Sequence, residues 1–292
     1  MKRDFSKGLL LTSLGSFWWG FIGVIYFEYV SFIGHIELVV HRCVWTAVML
    51  ILTTSFFSKW KIFYRIFLDK KKLFYLFISG LLIFINWSIW IYAVATDRII
   101  DASFGYFIMP IISVFLGYIF FNEKLNNKRK FSIFLVIISI IVLIFFNIKS
   151  LPWVGIIVAL SWAFYNLVRK KINVDTDVGL LIESLFIFPF ASVGFYIIAV
   201  NGYNDFNISN IGFSLFLILA GPMTVIPLFL YVRGVELIGL GATGMIFYIT
   251  PTLQFILGYF YYNEEFSFIK FVSFIIIWIA VIIYLKDLYE NN

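Results

Sequence analysis

Ten apolar stretches, each about long enough to cross a bilayer and joined by short polar connections, restrict what this chain can fold into more than any other feature. They fall at 8–27, 36–57, 73–95, 102–121, 131–148, 151–168, 178–200, 211–232, 241–262 and 268–285. A helical crossing needs about 20 apolar residues, whereas barrel strands would show alternating segments of about 10. In lipid only a helix satisfies every backbone group within its own segment. The expected fold class is therefore all-α integral membrane, with ten transmembrane helices. Hydrophobic residues make up 62% of the chain and charged residues 13%, too few polar groups to coat a water-soluble globule.

The cations assign a direction to each crossing. Eighteen of the 22 Lys and Arg fall in alternate segments beginning with the N-terminus, among them Lys2, Lys59, Lys70–Lys72, Lys124–Lys130, Arg169–Lys171, Arg233 and Lys286. The other set of connections holds Arg98, Lys149 and Lys270, and Arg42 lies within a span. By the positive-inside rule this places both termini in the cytoplasm. An odd number of helices would scramble the alternation. The net charge of +6 then faces anionic lipid, so membrane lipid is an expected partner and nucleic acid is not. Cys43 is the single cysteine, which excludes an internal disulfide and a CxxC metal site. The basic N-terminus ahead of an apolar run resembles a signal peptide, but the run is about 20 residues and lacks a small-x-small site, so it reads as a retained first helix.

The sequence also repeats. ASFGYFIMPIISVFLGYIFFNEKL (102–125) aligns with TGMIFYITPTLQFILGYFYYNEEF (243–266), matching Pro110 with Pro251, Gly117 with Gly258, Tyr118 with Tyr259, Asn122 with Asn263 and Glu123 with Glu264. Trp19 and Trp162 offer a fainter echo. The unit is five helices, 1–149 and 150–292. Because five is odd, the second copy enters the membrane from the opposite side. Inverted repeats of this kind place a binding site near mid-membrane between the halves. Pro110 and Pro251, near the middle of their spans, are candidate hinges, since proline removes a helical hydrogen bond. Pro222 and Pro227 mark a second stretch liable to bend.

Polar groups inside lipid are expensive, about 2.5–3.5 kcal/mol for a charge at mid-bilayer. Glu37 and His41 are four apart and share a helix face. Arg42 is rotated by about 100° and points elsewhere. These three are candidate solute-contacting or protonatable groups; the structural alternative is an interfacial ion pair that stops the helix rotating. Glu183 lies near the opposite, cytoplasmic end of the corresponding helix in the second repeat. Proton coupling through these groups enters as one option, because a histidine titrates near neutral pH and burial raises a carboxyl. Asn86 and Trp87 lie deep in the third span, with Tyr106, Tyr248 and Gln254 as further candidates on the repeated spans. Aromatic residues are 22% of the chain, so any one of them is as readily packing or interfacial belt as ligand contact.

GxxxxGK[ST] and HExxH are absent from the sequence, and no cofactor, metal ligand set or catalytic residue is assigned. The function expected is a secondary carrier of a small organic solute. The alternatives are a lipid-modifying membrane enzyme, with Glu37 and His41 as its acid and base, and a non-transporting scaffold.

At these residues the chain resembles the chloramphenicol-sensitive RarD branch of the EamA-type drug/metabolite transporters. The likeness rests on ELVVHRCVW (37–45), NWSIWIYAV (86–94), DASFGYFIMPI (101–111), LGYIFFNEKL (116–125), WAFYNLVRKKI (162–172), GLLIESLFIFP (179–189), YITPTLQFILG (248–258) and IIWIAV (276–281). The resemblance implies two inverted EamA repeats, a bacterial inner-membrane location, and export or exchange of small metabolites or drugs by alternating access. It points to Glu37, His41, Arg42, Asn86, Tyr106 and Glu183 as signature positions. Met109 departs from the pattern, where a polar residue is expected before Pro110.

Overall fold

The computed structural model describes residues 2–30, 32–95, 99–147, 153–202, 204–261 and 268–291, and its regular elements are all helical. Arg98, Lys149, Asn263, Glu264 and the boundary between the two repeats lie outside the described residues. The first apolar rod is α1 (Lys2–Phe17), a five-residue π-helical stretch (Trp18–Ile22) and α2 (Gly23–Tyr29). Then follow α3 (His35–Phe56), α4 (Trp60–Phe67), α5 (Lys70–Ala95), α6 (Ile99–Phe121), α7 (Asn127–Asn147), α8 (Trp153–Ile172) and α9 (Thr176–Val200). The last are α10 (Ile211–Ile218), α11 (Ala220–Ile246), α12 (Ile249–Phe260) and α13 (Phe268–Asn291).

Among the described residues, 7 helical stretches are long and apolar enough to cross a membrane, and Gly105–Phe121 is a shorter apolar helix. This differs from the ten spans expected, and the reasons are local. In α8, Arg169, Lys170 and Lys171 occupy the last turn and dilute its apolar character. The spans expected at 211–232 and 241–262 belong to a single stretch, Ile211–Phe260, of 50 residues. As one rod it would measure about 75 Å, against about 30 Å of hydrocarbon. Within it the backbone of Gly239 (φ 89°, ψ 172°) is non-helical and interrupts α11. α4 was not expected. It buries Phe63 and Ile66 and exposes Lys61, Tyr64 and Arg65, the two-faced pattern of a helix lying along a membrane surface.

Ion pairs gather the connections at one end of the bundle. Lys59, before α4, meets Asp175 and Asp177 at the α8–α9 turn, at 3.1 and 2.7 Å. Arg129 of α7 meets Asp287 of α13 at 2.8 Å. Just inside this basic end, Arg169 of α8 pairs with Glu183 of α9 at 3.4 Å, both side chains at most 2% exposed. The Glu183 carboxylate also accepts from the hydroxyls of Ser79 and Tyr165, and Arg169 Nη2 donates to the Thr176 carbonyl at 3.0 Å. This buried ion pair is a structural tie between α5, α8 and α9, with Arg169 Nε left without a partner among the described residues.

Glu123 makes the other tie at this end, and it explains why Asn and Glu stand side by side. Asn122 adopts a left-handed conformation (φ 52°) that ends α6, which asparagine tolerates better than most residues. The chain then turns so that the Glu123 carboxylate passes over Gly117, where a Cβ would collide with it. It accepts from the backbone N–H groups of Leu240 and Gly241 at 2.8 and 2.9 Å, and from Lys170 Nζ at 2.8 Å. Leu240 and Gly241 open the helix that follows the Gly239 break, so the carboxylate caps orphan donors at a helix N-terminus.

Two stability predictions follow from these ties. Gly239→Val forces a branched side chain into a glycine-only region, costing about 1–3 kcal/mol, and should lower the Tm of purified protein. Arg169→Met should be worse, at about 3–5 kcal/mol, because it leaves Glu183 buried and unpaired. The double change Arg169→Met/Glu183→Met should recover most of that loss. Thermal unfolding of the three variants checks both.

Candidate functional site

Above the basic end the bundle holds a partly open cavity of about 90 Å³. Its walls come from the π-helical stretch and α2 (Trp19, Gly23, Val24, Phe27), α3 (Arg42), α5 (Asn86, Trp87, Trp90), α6 (Gly105, Tyr106, Met109), α8 (Val158, Trp162), and the α11–α12 segment (Phe247, Thr250, Gln254). Its floor is aromatic. Trp19 lies edge-on to Trp162 at 5.1 Å, Trp162 contacts Tyr231 at 5.4 Å, and Tyr231 meets Phe247 edge-on at 5.5 Å. Tyr165 stacks on Trp162 at 5.5 Å and carries this floor down to Glu183.

The π-helical stretch positions the floor. Such an insertion disturbs the regular i→i−4 ladder and is frequent at functional sites. Beside it, the Ser16 carbonyl accepts the Thr250 hydroxyl at 2.9 Å, which ties α1 to α12.

On α3 the residues divide as their spacing predicts. Glu37, His41 and Trp45 share one face: His41 Nε2 lies 3.3 Å from Glu37 Oε1, and Trp45 Nε1 donates to His41 Nδ1 at 3.1 Å. Because Nδ1 accepts, the ring is neutral with its proton on Nε2. Glu37 Oε1 also accepts from the Asp205 N–H at 2.9 Å. His41 is wholly buried, flanked by Phe195 and Phe206. This face clamps α3 to α9 and to the chain before α10, and it lies away from the cavity. Glu37 instead borders a separate surface depression with Gly34, Asn204 and Asp205.

Arg42 faces the cavity. Its Nε donates to Thr224 Oγ1 of α11 at 3.0 Å, and its Cζ lies 4.5 Å from the Trp87 ring centroid and 5.1 Å from that of Phe27. It is the one charged side chain among the described lining residues. Asn86 spends both amide hydrogens on α8, donating to the Val158 carbonyl at 2.9 Å and to Ser161 Oγ at 3.0 Å. Its carbonyl oxygen retains hydrogen-bonding capacity. Tyr106 lies 5.7 Å from Phe247, ring to ring, across the cavity wall.

Of the residues singled out from sequence, Arg42, Asn86, Trp87, Tyr106 and Gln254 thus come together around one space. Glu37, His41 and Glu183 lie away from it and bond to protein groups, with Glu37 Oε2 and Arg169 Nε left without a partner among the described residues. Tyr248 is fully buried, and its hydroxyl donates to the Phe107 carbonyl at 2.8 Å. The prolines are not equivalent. Pro110 and Pro227 lie inside α6 and α11, but Pro222 and Pro251 fall in the first turns of α11 and α12. There the missing N–H is an orphan in any case. Pro110 and Pro251, paired in sequence, thus stand at different points of their helices.

Spacing had not singled out Thr224, Phe247, Tyr231 and Thr250 as site residues. The available signal was positional, because Phe247 is the counterpart of Tyr106 at the same 141-residue separation as Tyr248 and Phe107.

The EamA-like transporter family model matches residues 6–145 and 150–286. The chain is 32% identical to Protein RarD of Escherichia coli (strain K12), over 96% of this chain and 94% of that protein. It is 33% identical to an uncharacterized transporter of Vibrio cholerae, over 98% and 94%. Against the chloramphenicol-sensitive protein RarD of Pseudomonas aeruginosa it is 23% identical, over 85% and 83%. A solved crystal structure sharing 12% identity has the same fold, with a TM-score of 0.72 and coverage of 96% and 97%. This multi-pass helical membrane protein, matched along nearly its whole length, belongs to the EamA-like transporter family.

Proposed function

We propose that the chain is a secondary transporter of the bacterial inner membrane, moving a small organic metabolite or drug-like solute by alternating access. In this reading it crosses the bilayer ten times, in two inverted five-helix repeats spanning 1–149 and 150–292, with both termini in the cytoplasm. The observation that carries the reading is a cavity lying where equivalent positions of the two halves touch. Tyr106 contacts Phe247, and Phe107 contacts Tyr248, each pair separated by 141 residues. A residue that meets its own counterpart lies beside a two-fold axis. The Trp19–Trp162 contact agrees with the fainter echo between the first helices of the halves. The twofold family match over 6–145 and 150–286 supports the same division. The Gly239 interruption supports counting Ile211–Phe260 as two crossings.

The basic end faces the cytoplasm in this reading, so the cavity belongs to the opposite side. The aromatic floor and the Glu123 and Glu183 ties close the cytoplasmic path. Transport requires the floor to part and the Glu123 carboxylate to leave Leu240 and Gly241. Hydrogen bonds to a charged group contribute about 1.5–3 kcal/mol each, a scale that holds one state without locking it. Proton coupling would have to run through Glu37–His41 or Glu183, outside the cavity. The buried and doubly engaged His41 ring argues against the lipid-modifying alternative, and the open cavity argues against a scaffold.

Two measurements test the proposal. Purified protein in liposomes should exchange at least one member of a broad panel of organic acids, amino acids, nucleosides and antibiotics. Background flux for every solute would overturn the transport reading. Glu123→Ala should raise amide hydrogen exchange at Leu240 and Gly241 by tenfold or more, since about 1.4 kcal/mol corresponds to a factor of ten. Unchanged exchange there would remove Glu123 as the inner closure.

A further inference from the structure

We infer that the solute is an organic anion with a flat apolar body, held by its carboxylate on Arg42. The inference rests on the transport reading for the word solute, but the binding chemistry stands on its own. Arg42 is 7% exposed and is the sole charged group among the described lining residues, with no Asp or Glu in that wall. Its Nε is committed to Thr224 and one face of its plane is covered by Trp87. Those two partners come from different helices, α11 and α5, and hold the guanidinium in one orientation. A cation kept away from water without a carboxylate partner is destabilising unless something else neutralises it. The terminal nitrogens Nη1 and Nη2 have no hydrogen-bond partner among the described residues, and together they form the fork that matches a carboxylate.

The rest of the space selects the body. Trp19, Trp162 and Phe247 present ring faces and edges toward it, and such walls favour a planar ring over an extended polar chain. A solute ammonium would find no carboxylate in this wall and would face the Arg42 charge. The selectivity expected is therefore anion over neutral over cation.

The test is binding, measured as thermal stabilisation of the full-length protein in a zwitterionic detergent. The probes are three matched sets: phenylacetate, 3-phenylpropionate and indole-3-propionate, each with its corresponding alcohol and amine. At least one acid should raise the Tm while its alcohol and amine do so at tenfold higher concentration or not at all. Arg42→Gln should weaken that acid at least tenfold. Arg42→Lys, which keeps the charge without the fork, should fall between. Should Arg42→Gln not fold, Thr224→Val frees Nε while leaving the cation, and should weaken the acid severalfold. The inference is overturned if no acid is preferred over its alcohol and amine in any set, or if folded Arg42→Gln binds the acid as well as the parent. Acid binding without flux in liposomes would sink the transport reading and leave this one standing. Flux with no preference for anions would do the reverse.

Discussion

A bilayer core offers no water, so every polar group carried into it must find its partner within the protein. The interior of this bundle is organised by that constraint. Glu183 is matched by Arg169, Ser79 and Tyr165. One oxygen of Glu37 is matched by His41 and the Asp205 N–H, its other having no partner among the described residues, and Glu123 is matched by Lys170 and two backbone donors. Each deep carboxylate joins helices distant in sequence, so each is also a point where the bundle is tied. Arg42 breaks the pattern. It has a hydroxyl and two aromatic faces but no anion, and it opens on the cavity.

The same scarcity of water explains how the chain is broken. A helix is the default throughout, and leaving it exposes donors and acceptors that need new partners. The interruption at Gly239 is tolerated because Glu123 receives the next two N–H groups. The π-helical turn at Trp18–Ile22 lies against α12, where Thr250 meets the Ser16 carbonyl. Both irregularities lie where helices distant in sequence meet, α6 with α11 and α1 with α12. Each is compensated by a group more than a hundred residues away in sequence.

Much of this was legible from residue order. The four-residue spacing of Glu37 and His41, and the turn away to Arg42, predicted two separate faces on α3, and the faces have different neighbours. The depth of Asn86 and Trp87 placed them on a shared wall. The Asn-Glu pair was visible only as a mark of repetition, because its physical work depends on a glycine 116 residues further along. Pro251 stands in the first turn of α12 and Pro110 inside α6, a difference that a proline in mid-span does not show on paper. For His41, Tyr248 and Glu183, polarity in lipid signalled that a partner exists but not that it would be another protein group.

The sequence by itself determined the solvent, the secondary structure and the periodic faces, because these depend on hydropathy and on spacings of a few residues. Only the tertiary structure decided which buried polar groups close on one another and which one faces empty space. That is a matter of pairing across more than a hundred residues, as between Arg42 and Thr224 or Glu123 and Leu240, and local composition does not encode it.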